Sequence, residues 1–94
     1  MSKKTQGVYD LVQEVLRTLP MPYGEDVIEE VCLAIENNSD WQKRYKDLSS
    51  ELRQWVVNNW IGQYTKKLTG LKSVRQVEAK RAKIIGSYTK LASG

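Results

Sequence analysis

Ninety-four residues, 40% of them hydrophobic and 28% charged, suit one small globular domain with a modest core and leave no room for a second catalytic lobe. Six glycines and two prolines are too few for a β-rich or low-complexity chain, and no apolar run approaches the roughly 20 residues that span a bilayer. The formal charge of +4 conceals a segregation: seven basic and ten acidic residues precede Lys66, while eight basic and one acidic residue follow Thr65, giving −3 and +7.

Thr5 to Leu19 carries Val8, Leu11, Val12, Val15, Leu16 and Leu19 at helical spacing, with Asp10, Gln13, Glu14 and Arg17 on the other face. Thr5 reads as its N-cap, and Pro20 with Pro22 ends it. A second helix is expected after Gly24, with Glu25 and Asp26 in its first turn and Val27, Ile28, Val31, Cys32 and Ile35 as its buried stripe. Asn37-Asn38 closes it. A third helix is predicted from Ser39, which with Gln42 makes a capping box. Its Trp41, Tyr45 and Leu48 should face inward, and its Gln42, Lys43 and Lys46 outward. Ser49-Ser50 supplies the next cap, Glu51 opens a long fourth helix, and Gly70 ends it with Lys66 and Lys67 in the last turn.

On that fourth helix Val56, Val57, Trp60, Ile61, Tyr64 and Leu68 fall within one arc of about 140°. Trp55 lies on the other side with Asn58, Asn59, Gly62 and Lys66. Either another segment or a second copy packs over Gly62 and covers Trp55, or Trp55 is an exposed aromatic that stacks on a base or takes a partner's side chain. Residues 71–94 allow a helix from Ser73 to about Leu91 or an extended basic arm that orders on a partner; Arg81 and Gly86-Ser87 weaken the helix. The fold expected is all-α: a small four-helix domain, with an acidic body over 1–70 and a basic C-terminal helix or arm over 71–94.

Nothing in the sequence forms a convincing catalytic constellation. There is no histidine to act as a base near neutral pH, no phosphate-loop spacing and no Cys/His cluster for zinc. Ser87-Tyr88-Thr89-Lys90 matches a serine-lysine pattern by letter, but that pattern belongs to a far larger fold. Glu25, Asp26, Glu29 and Glu30 read as a solvated helix start rather than a metal site. Cys32, the single cysteine, reads as a small buried hydrophobe and implies a reducing compartment. With no apolar segment behind the lysines of Met1 to Gly7, a cytoplasmic location is expected. Helices two and three invite a helix-turn-helix reading, but the turn glycine is missing and the buried pattern fits poorly.

The leading expectation is a non-enzymatic nucleic-acid-binding protein without a cofactor or metal. Lys72, Arg75, Lys80, Arg81 and Lys83 would hold DNA or RNA phosphates, with Lys66 and Lys67 extending the patch and Trp55 adding stacking. The alternative is a protein-interaction adaptor or inhibitor that is centred on Trp55, Asn58, Asn59 and Gly62. Its basic end would meet an acidic protein, or the acidic second helix of another copy in a homo-oligomer.

Overall fold

The computed structural model describes residues 5–24 and 26–70. Four helices follow in order: α1 (Gln6–Leu16), α2 (Val27–Glu36), α3 (Ser39–Leu52) and α4 (Gln54–Thr69). Among the described residues there is no strand. The all-α, four-helix expectation holds. Glu25 and residues 71–94, with both alternatives offered for that basic end, lie outside the described residues.

α1 forms where its apolar residues recur at helical spacing, and Val8, Leu11, Val12, Val15 and Leu16 are all buried. It ends at Leu16, three residues earlier than the spacing predicts. Thr18 and Leu19 donate their N–H groups to Val15 and Leu16, three residues back, which tightens the last turn. The Thr18 hydroxyl also donates to Val15 C=O, and Tyr23 Oη donates to Leu16 C=O, so the carbonyls left at the helix end find partners. Thr5 stands at the N-cap but makes no side-chain capping bond. Its hydroxyl instead pairs with Tyr64 Oη at 2.6 Å in a buried contact between the chain start and α4.

In α2 the five stripe residues Val27, Ile28, Val31, Cys32 and Ile35 are buried as expected, and Asp26 is the N-cap. α3 corrects the capping-box reading. Asn38, with an extended backbone, is the N-cap, and its Oδ1 accepts the Trp41 N–H at 3.0 Å. Ser49-Ser50 caps nothing, because the helix runs through it to Leu52 and the Ser50 hydroxyl donates to Lys46 C=O.

The break falls at Arg53, where the backbone turns to φ 77°, ψ 143° before α4 begins at Gln54. A bulky residue held at positive φ costs about 1–3 kcal/mol. Gly70 ends α4 in the left-handed conformation that the sequence predicts, with Lys66 and Lys67 in the last turn.

The core is one cluster drawn from all four helices: the α1 and α2 stripes, Tyr45 of α3, and Val57, Ile61 and Tyr64 of α4. Trp41, Leu48, Leu52, Trp60 and Leu68 pack against its edge. The contact between α1 and α4 is the most extensive of the helix pairs. Gly7 lets α1 lie close to α3, since a Cβ there would meet Leu48 Cδ2 at 2.7 Å.

Candidate interaction surface on the fourth helix

α4 is turned relative to its apolar count. Its buried residues are Val57, Asn58, Ile61, Gly62, Tyr64 and Thr65. At 100° per residue their arc is centred about 90° away from the one that the hydrophobic residues alone define. The reason is a set of polar groups satisfied inside. Tyr45 Oη donates to Asn58 Oδ1 at 2.6 Å, Thr65 Oγ1 donates to Ile61 C=O at 2.6 Å, and Tyr64 Oη pairs with Thr5. A buried polar group with a partner loses most of its desolvation penalty, so these positions tolerate burial.

The four proposed interface residues therefore separate. Asn58 is completely buried and Gly62 is buried, so both belong to the interior of the fold. Asn59 is half-buried. Trp55 is 53% exposed, a large hydrophobic side chain left outside the core formed by α1–α3. Beside it in sequence, Glu51, Leu52, Arg53 and Val56 line a groove of about 460 Å³. Trp60 is half-buried and stacks on Tyr64, with ring centroids 5.0 Å apart.

Of the proposed phosphate-binding residues, Lys66 is half-buried and Lys67 exposed, both at the carbonyl end of α4. On a straight helix Lys66 stands within about 20° of Trp55 and roughly 16 Å farther along the axis. Lys72, Arg75, Lys80, Arg81 and Lys83 lie outside the described residues.

Two groupings were not foreseen from the sequence. At the α3–α4 corner the Tyr45 phenol meets Asn58, with Ser49 and Gln54 nearby. Desolvation pushes the phenol's pKa up, and the neighbouring Gln54, Ser49 and Asn58 side chains only partly offset it. Nearer the start of α3, Glu14 of α1 accepts from Trp41 Nε1 at 3.2 Å and from Arg44 Nη1 at 2.5 Å. The Arg44 hydrogen bond, helped by Trp41, holds the Glu14 carboxyl below its ordinary pKa. Arg44 is thereby engaged, while Lys43 and Lys46 are exposed on α3.

Burial pushes the Cys32 thiol's pKa up, and the residue is fully buried, in keeping with a packing role. Among the described residues no group of three or more His, Cys, Asp or Glu side chains could hold a metal ion. No described helix is long and apolar enough to cross a membrane. No family model, curated protein or solved structure matches this chain.

Proposed function

We propose that this chain is a small non-enzymatic nucleic-acid-binding protein that holds phosphates through its basic C-terminal end. The observation that carries the reading is the charge segregation: +7 over residues 66–94 against −3 over residues 1–65. Each cation placed on a phosphate releases a condensed counterion, so a concentrated basic end binds polyanions by an entropic gain. Lys66 and Lys67 supply the start of that patch on a fixed helix end, and the exposed ring of Trp55 on the same helix is available for stacking. Phosphate contacts of this kind position a protein without reading sequence.

The test is a titration of fluorescent duplex and single-stranded DNA and RNA at several salt concentrations. With four to six cations on duplex phosphates, log affinity falls against log salt with a slope of roughly −3.6 to −5.4. No binding at low salt by the full chain refutes the reading.

The exposure of Trp55 supports a second reading, a protein-interaction adaptor or inhibitor, since buried aromatic anchors carry much of the energy of protein interfaces. That reading predicts a partner retained after nuclease treatment and lost in Trp55→Ala.

A further inference from the structure

α3 and α4 are separated by a single residue, Arg53, held at φ 77°. With ψ at 143° this lies outside the left-handed helical region, and glycine, which lacks a Cβ, accepts it far more readily than a long side chain. The sequence around it carries no interruption. Trp41, Tyr45, Leu48, Leu52, Trp55, Asn59 and Gly62 follow one another at alternating steps of four and three residues, straight through the break. On one unbroken helix all seven fall within an arc of about 100°. The first four already form the core-facing side of α3: Tyr45 is buried, and Trp41, Leu48 and Leu52 pack against the cluster. Trp55 is the next member of that series. It is left 53% exposed because Arg53 turns the chain and presents a different face of α4 to the core.

From the strained one-residue hinge and the uninterrupted repeat we infer that this chain exchanges α4 between two copies. Arg53 relaxes to helical backbone, residues 39–69 become one continuous helix, and each copy's α4 occupies the place against α1 and α2 that the partner's own α4 vacates. Contacts of α4 with the core, including the Tyr45–Asn58 and Thr5–Tyr64 hydrogen bonds, are then remade between copies, so little is lost. Two things are gained: the strain at Arg53 is released, and the two long helices cross near Leu52–Val56, which covers the Trp55 of both copies. Short strained hinges favour such exchange. The occupant of the Trp55 surface is thus a second copy of this chain.

The test uses the full chain refolded from denaturant at high and low protein concentration, with mass measured by light scattering after size exclusion. Exchange predicts a dimer formed at high concentration that persists on dilution and reverts only after unfolding. Arg53→Gly should lower the dimer-to-monomer ratio by roughly tenfold per chain, because glycine accepts the turn without strain. Inserting Gly-Ser-Gly-Ser after Arg53 should abolish the dimer. Trp55→Lys should weaken the dimer and leave monomer stability almost unchanged, since the ring is solvated in the monomer.

Spin labels at Ser39→Cys and Lys67→Cys, with buried Cys32 left in place, identify the arrangement. Labelled chains diluted into unlabelled ones should show an intrachain separation of roughly 42 Å in the dimer, from 28 residues at a rise of 1.5 Å. The folded-back form should read a shorter distance, consistent with principal extents of 31 × 27 × 27 Å. A dimer that keeps the monomer's distance, or a chain that stays monomeric at every refolding concentration with Arg53→Gly without effect, overturns the inference.

Discussion

Tyr45 Oη and Asn58 Oδ1 meet at 2.6 Å in the interior, the phenol on α3 and the amide on α4. Both residues are almost entirely out of solvent. This pair draws a polar face of α4 into the core and leaves Trp55 outside it. Asn58→Ala removes the acceptor and should destabilise the fold by about 2–3 kcal/mol, the desolvation cost of a stranded buried hydroxyl plus lost packing. In a double-mutant cycle with Tyr45→Phe, the combined cost in urea unfolding should be clearly smaller than the sum of the two single costs. An additive result would show that the pair is not coupled.

The Tyr45 phenol also sets a limit at alkaline pH. Its folded-state pKa lies above the unfolded value, so its contribution is fully present below the unfolded tyrosine range and is lost as pH rises through the folded value. Unfolding at high pH should therefore be steeper in the wild type than in Tyr45→Phe, as followed by far-UV circular dichroism.

Glu14 acts at the other end of the scale. Its lowered pKa contributes stability that is present above the unfolded carboxylate value and lost as pH falls through the folded one. Glu14→Gln should be slightly less stable than the wild type near neutrality, and the difference should vanish in acid. Trp41, whose indole donates to this carboxylate, supplies a fluorescence readout.

For nucleic-acid binding, reversing Lys80 and Arg81 to Glu in the full chain should weaken all sequences about equally and flatten the salt dependence, because phosphate contacts carry no base information. A variant that changes sequence preference instead would point to base readout from this end. Parallel electrophoretic titrations on unrelated duplexes of equal length distinguish the two.

Cys32 provides an independent clock for opening. A fully buried thiol with a raised pKa should react with a disulfide reagent only through unfolded or opened molecules. Its labelling rate should rise with urea in step with the unfolding equilibrium and should increase in Asn58→Ala.

The first two helices were legible because their burial is purely apolar: every residue of the Val27 to Ile35 stripe is where its spacing puts it. α4 was misread in phase for the converse reason. Asn58, Thr65 and Gly62 enter the core, and an apolar count has no way to know that Tyr45 lies opposite the amide. The helix break was misplaced at Ser49-Ser50, a good cap by composition, because Arg53 carries no local signal for a turn. Asn38 outcompeted Ser39 as a cap since it, and not the serine, has the extended backbone that aims a side chain at the Trp41 N–H. As for the candidate site, Trp55 was correctly set apart from the helix's buried side, whereas Asn58 and Gly62, grouped with it, are interior.

The Thr5–Tyr64 hydrogen bond joins residues 59 apart and sits beside the α1–α4 contact, the most extensive between the helices. Closing so long a loop costs chain entropy, a cost that this bond shares with the rest of the α1–α4 contact. The first turn of α1 should therefore dock and undock together with α4. Any event that lifts α4 from α1 should break this bond and loosen the start of α1, and amide exchange in the second turn, where the N–H groups have intrahelical acceptors, should report it.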